Sequence, residues 1–135
     1  MGKNYIDIED DRGDVLRYRK HANGRGFIAH GAKVHPQAVV EAGAYVEPGA
    51  KIGAHAFIGR GAWIEPNAAV GVGARVEAHA RIGEGAVIAD GAHVGVRTDV
   101  GAGARIARGA RIGDDETVPA GAAIATDRRG LWLAA

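Results

Sequence analysis

Proton-transfer chemistry in this chain would fall to its six histidines: His21, His30, His35, His55, His79 and His93. Imidazole exchanges a proton near neutral pH and is the commonest general base. The six are not equivalent. His55 and His79 recur at a position otherwise filled mostly by Gly, with Asn and Asp among the substitutes. That set marks a positive φ, so these two read as corner residues of the fold. His93 falls at an outward position, in one stripe with Arg75 and Arg111, and is the candidate base. His30 and His35 stand five residues apart, and Arg12-Gly13-Asp14 upstream of them reads as a turn. Serine is absent, which excludes a serine nucleophile. Cysteine is absent too, so neither a disulfide framework nor a thiolate metal site can form. The acidic run Asp114, Asp115 and Glu116 could hold a cation or pair with arginines at a neighbouring edge; a solvated corner is the preferred reading.

These residues hang on a strict repeat. From Ile28 to Ile124 a Val or Ile recurs every six residues, seventeen times, without an insertion. A six-residue period fits neither a helix nor a simple alternating strand. It fits a short β-branched strand followed by a tight corner. Four residues after nearly every aliphatic comes Ala, placed on the same inward face. The residue before that Ala is the corner residue, from Gly31 through Gln37 to Gly121. Two hexads depart from the rule: VGVRTD (94–99), with Arg97 at the corner and Thr98 for Ala, and the acidic IGDDET (112–117). In a pattern this strict, departures mark a function or a local contact.

The ends differ from the repeat. Residues 4–19 alternate apolar and polar around DDRGD and read as a β-hairpin, with Ile6 and Ile8 facing Leu16 and Tyr18. This divides the chain into a hairpin cap and linker (1–26), a repeat domain (27–125) and a C-terminal tail (126–135). Taking every eighteenth residue just before the aliphatics gives three outward stripes. One is Phe27, Tyr45, Trp63, Arg81, Asp99 and Thr117. Another is Val39, Phe57, Arg75, His93 and Arg111. The third is Lys33, Lys51, Ala69, Val87, Arg105 and Ala123. Phe27, Tyr45, Trp63, Phe57, Arg81 and the tail residue Trp132 are candidate interface residues, since aromatics and Arg are enriched where proteins meet. Cover by the hairpin or tail is the competing reading.

Bulk properties exclude several classes. The 135 residues are 47% hydrophobic but only 5% aromatic, with 22 Gly and 4 Pro, as a regular glycine-requiring repeat demands. A net charge of +1, with Glu41, Glu47, Glu65 and Glu77 interleaved among the basic residues, disfavours nucleic acid. No apolar run approaches a transmembrane length and no secretory signal is evident, so the expected location is the cytoplasm.

The hexad pattern resembles the hexapeptide-repeat, left-handed parallel β-helix superfamily. The resemblance implies an all-β fold, here of five to six triangular coils with an N-terminal β-hairpin cap, that assembles as a trimer. It also implies two enzymatic possibilities. Acyltransferases of this class use coenzyme A at subunit clefts with a histidine base, which would be His93. They generally carry a projecting loop and a C-terminal helix, and this repeat shows neither. The γ-class carbonic anhydrases hold a metal on three histidines, two of them spaced like His30 and His35, but the third has no counterpart upstream; no metal site is therefore expected. Weighing the unbroken repeat and the aromatic stripe, the sequence favours a non-enzymatic assembly module without a cofactor, self-associating as a trimer or docking a protein partner. A coenzyme A-dependent acyltransferase is the alternative.

Overall fold

The computed structural model describes residues 5–9, 13 and 15–125. Strand β1 (Tyr5–Glu9) pairs antiparallel with β2 (Val15–Lys20), in a register that sets Ile6 opposite Tyr18 and Ile8 opposite Leu16. Strand β2 pairs antiparallel with β3 (Phe27–Ala29). Beyond β3 the strands are two residues long, and each pairs in parallel with the one eighteen residues on. The result is three sheets wound by one chain, a left-handed parallel β-helix of about five turns. The first face carries Tyr45, Trp63, Arg81 and Asp99 in register, the second Lys51, Ala69, Val87 and Arg105, and the third Phe57, Arg75, His93 and Arg111. No helix among the described residues is long and apolar enough to cross a membrane.

The repeat builds this shape by burying one aliphatic per hexad. Of the seventeen, all but Val34 are buried, and the alanines between them complete the core. At most corners the inner Ala donates its N–H back three residues, as Ala44 does to the Glu41 carbonyl at 3.1 Å. The residue before the Ala then needs a positive φ. Gly85 meets it at 70°, and His55 (60°), Asn67 (63°), His79 (61°), Arg97 (57°) and Asp115 (56°) adopt it with a side chain. Pro48 and Pro66 precede Gly49 and Asn67, the Pro-then-positive-φ order of a type II turn. Gln37 departs from the expected pattern and has no positive φ; its N–H instead donates to His35 Nδ1 at 3.0 Å, which stabilises a different turn.

Residues 21–26 do more than link. Gly26 donates to the Val40 carbonyl at 2.7 Å and Val40 donates to the Asn23 carbonyl at 3.0 Å, so this segment pairs with the edge of the third face. The hairpin extends the first sheet at the same end. Two of the three open edges at the start of the prism are thereby hydrogen-bonded, which removes a template for aggregation.

Glycines serve two separate needs here, and mutation will tell them apart. A Cβ on Gly85 would meet nothing within 4 Å, so Gly85→Ala should cost only the left-handed strain, about 1–2 kcal/mol. A Cβ on Gly83 would stand 2.6 Å from the Ala102 nitrogen of the next coil, against backbone that cannot yield. Urea unfolding should therefore show Gly83→Ala destabilising the chain more than Gly85→Ala, although only Gly85 has a positive φ.

Candidate active site

The third face assembles a connected group around His93. Its Nε2 lies 2.7 Å from Oε2 of Glu77, and the Arg75 Nε donates to the same oxygen at 2.6 Å. The Arg75 guanidinium in turn sits over the Phe57 ring, 4.1 Å from its centroid. Burial alone would raise the Glu77 carboxyl, but hydrogen bonds and charge from Arg75 and His93 outweigh it and hold the group below its ordinary value. An ionised carboxylate can only accept, so His93 Nε2 carries the proton. In the neutral ring the Nδ1 lone pair is then free to take a proton from another molecule. A positioned base with an orienting carboxylate is the arrangement needed to deprotonate an attacking amine or hydroxyl.

Glu77 is the residue that sequence reasoning missed. In the sequence it stands only as one of several glutamates balancing the basic stripes. The signal lay in an offset of sixteen. A Glu just after one aliphatic reaches the outward residue before the aliphatic of the next coil. The same offset joins Glu47 to Trp63, whose Nε1 donates at 2.7 Å, and Glu65 to Arg81, whose Nε donates at 2.7 Å.

The candidate interface residues divide between two faces. Phe27 and Tyr45 stack at 5.0 Å on the first face, and the hairpin's Tyr18 meets Tyr45 edge-on at 5.4 Å. The Tyr18 hydroxyl donates to Glu47 at 2.6 Å; burial and that carboxylate push it well above the usual phenol range. Trp63 remains 46% exposed, and Arg81 is braced by Glu65 and Asp99. Phe57 lies apart, under Arg75 on the third face. Trp132 lies outside the described residues.

The two irregular hexads stack on each other, eighteen residues apart. Arg97 pairs with Asp115 at 2.7 and 2.9 Å, Asp114 accepts the Val96 N–H at 2.8 Å, and the Thr98 hydroxyl donates to the Gly113 carbonyl at 2.6 Å. The acidic run is thus engaged in local contacts, with Glu116 donating its N–H to Thr98. Among the described residues no three His, Cys, Asp or Glu side chains gather as a metal site would require; Arg12 and Asp14 are outside that set.

No family model matches the chain, and no curated relative does. Solved structures do. A histidine-to-asparagine mutant of perosamine N-acetyltransferase from Caulobacter crescentus, in complex with CoA and GDP-perosamine, is 35% identical with a TM-score of 0.74, over 75% of this chain and 48% of its own. The acetyltransferase domain of PglB from Neisseria gonorrhoeae, in complex with acetyl coenzyme A, is 27% identical with a TM-score of 0.74, over 75% of this chain and 49% of that one. A hexapeptide transferase family protein from Anaplasma phagocytophilum, 16% identical with a TM-score of 0.50, shares the fold, over 71% of this chain and 70% of its own. The chain spans about half the length of the first two structures. Repeat, fold and neighbours are together those of hexapeptide-repeat left-handed β-helix proteins, which this chain resembles.

These neighbours correct two expectations. The non-enzymatic assembly module is overturned, because two solved structures aligning over three quarters of the chain, at 35% and 27% identity, are of acetyltransferases. The absence of a cofactor is overturned with it, because those structures hold CoA or acetyl coenzyme A. The physical reason is visible on two faces. Part of the aromatic stripe, one support for a scaffold, already has a partner, since Tyr45 meets Tyr18. The unbroken repeat itself brings a histidine–carboxylate pair together, His93 and Glu77 at 2.7 Å.

The Glu77 contacts set a pH dependence. A carboxyl held low in the folded chain adds stability that is complete above its unfolded value of 4.5. That stability is lost as pH falls below 4.5 through the folded value. Urea midpoints followed downward from pH 6 should fall less steeply below pH 4.5 in Glu77→Gln than in the parent chain.

Proposed function

We propose that the chain is a coenzyme A-dependent acyltransferase that moves an acetyl group to an amine, with His93 as the general base and Glu77 as the residue that orients it. The observation that carries this reading is the 2.7 Å contact between His93 Nε2 and Glu77, which orients the ring and leaves Nδ1 outside the contact. The likeness to acetyltransferases holding CoA supports it.

The chain's other features suit this donor. A groove of about 920 Å³ runs along the second face, floored by Ala69 and Val87. It is lined by the corner residues Val72, Asp90 and Arg108, and the third face lies across that corner. His93 follows Asp90 by three residues, on the far side. The apolar floor matches an extended, largely uncharged arm. Arg105, Arg108 and Arg111 stand one coil beyond the level of His93 and would hold phosphate groups. When bound, the coenzyme supplies an acyl thioester, an activated electrophile with a thiolate leaving group.

The residues of the chain then handle one proton. His93 Nδ1 would accept it from the attacking amine and pass it to the donor's leaving thiolate, so that a C–N bond replaces the C–S bond with the proton accounted for. Glu77 stabilises the imidazolium that forms in between. Arg75 holds the Glu77 carboxylate in place. In this reading residues 27–125 are the catalytic prism, residues 1–26 its cap, and three copies assemble with sites at their clefts, where Trp63 and Arg81 are available for contact.

His93→Ala should lower kcat by roughly 10²- to 10⁴-fold, followed as thiol release from acetyl coenzyme A with an amine acceptor, while the coenzyme's Kd stays unchanged. Turnover at the parent rate would overturn the assignment. In sedimentation velocity the protein should run at three times the 13.9 kDa of one chain; a monomer would contradict the cleft arrangement.

A further inference from the structure

The first coil leaves one of its three edges open. On the third face, residues 21–26 satisfy the backbone groups that point away from the next coil. His21 Nε2 donates to the Ala38 carbonyl at 2.8 Å, Gly26 donates to the Val40 carbonyl at 2.7 Å, and Val40 donates to the Asn23 carbonyl at 3.0 Å. On the first face, strand β2 does the same for β3. The second face has no counterpart. Its first strand, β4 (Lys33–Val34), pairs only with Lys51–Ile52 of the next coil. By equivalence with the third face, the groups left pointing away are the Ala32 carbonyl and the N–H and carbonyl of Val34. None of them has a partner among the described residues. Val34 is also the one core aliphatic of the seventeen that is only half-buried, so the core itself lies open at this edge.

The charge beside this edge is positive and decides what can fill it. Lys33 and Lys51 stand opposite each other on adjacent coils, both exposed, and Arg19 of β2 lines the same end of the groove as Ala32 and Val34. None of the three forms an ion pair with a described carboxylate. A lysine on an edge strand guards against self-pairing, because a second copy would bring its own Lys33 to the same place. That charge admits a strand bearing carboxylates. Segments of this chain fit poorly. The residues before Tyr5, MGKN, add a further cation. Glu9 and Val15 stand opposite each other in the hairpin, so what lies between them cannot be drawn out along β4. Ala123 and Ile124, just before the tail, close the opposite end of this sheet, five strand spacings or about 24 Å away.

We propose that this edge docks an extended, acidic segment of a protein partner, which adds to β4 as a further strand of the second face. The side-chain period of a strand sets the partner's pattern. A residue opposite Lys33 points outward beside its ammonium and suits a carboxylate. A residue opposite Val34 points inward over the open core and suits an aliphatic. Backbone bonds to Ala32 and Val34 supply the affinity, and the cations supply the selectivity. The added strand lies on the side of Lys33 away from Lys51, so Ala69 and Val87 stay uncovered. The site makes no use of His93 and stands whether or not the chain transfers an acyl group.

A blocked peptide of alternating Glu and Val, Glu-Val-Glu-Val-Glu, tests the site on the full chain, with amide resonances followed by NMR. The expected result is saturable shifts centred on residues 32–35. Lys33→Glu should weaken the Kd roughly tenfold and bind the Lys-Val-Lys-Val-Lys peptide in its place. Unshifted amides of the first and third faces report that the variant is folded. The same acidic peptide N-methylated at every residue keeps its charge but cannot donate, and should not bind. An absence of saturable shifts overturns the proposal. So does equal binding of the N-methylated peptide, which would mean charge attraction without a strand. A Val34 amide protected from hydrogen exchange before any peptide is added would also overturn it: protection that disappears on dilution would assign the edge to a second copy, and protection that persists would assign it to the chain itself.

Discussion

Every coil of this protein must close in eighteen residues. Backbone N–H groups donate to carbonyls of the next coil, as Arg75 does to Ala92 at 2.8 Å and Glu77 to Val94 at 2.9 Å. One inserted residue within a strand would turn aliphatics outward and break that ladder. The corners make closure possible by holding a positive φ, supplied by Gly or by His, Asn, Arg and Asp where a side chain is accommodated. From this constraint comes a surface that behaves as a lattice, in which outward residues eighteen apart are neighbours by necessity.

The lattice explains why one geometry serves three purposes. Three glutamates lie sixteen residues before an outward side chain that can donate to them, and each reaches it. With Trp63 and Tyr18 as partners, Glu47 ties the hairpin to the first face. With Arg81, Glu65 makes an ion pair that Asp99 extends. With His93, Glu77 fixes a tautomer and leaves a nitrogen able to take a proton. The backbone placement is the same in all three; the partner's chemistry decides whether the contact binds an element, neutralises a charge or prepares a base.

Much of this was legible in the sequence because six-residue periodicity and β-branched choice dictate the coil directly. The core aliphatics, the corner histidines and the Ile6–Tyr18 register follow from patterning alone. Other features depend on contacts that no local pattern encodes. Gln37 escapes the corner rule because His35 offers its N–H a different acceptor. Residues 21–26 read as a linker, yet pair with Val40 through backbone groups common to every sequence. Glu77 was visible but looked like its neighbours, since its offset means something only once coils are stacked. The unbroken repeat and the aromatic stripe favour a scaffold in the sequence, but neither excludes chemistry on the surface that the repeat builds. The repeat is what holds His93 and Glu77 in position.

A crystal structure of the chain with bound coenzyme A tests the central claim most directly. The account predicts that the coenzyme's sulfur ends on the third face, about 3–4 Å from His93 Nδ1, with Glu77 still on Nε2. A sulfur resting beside the first face, or a His93 ring whose Nδ1 is turned away from it, would contradict the account.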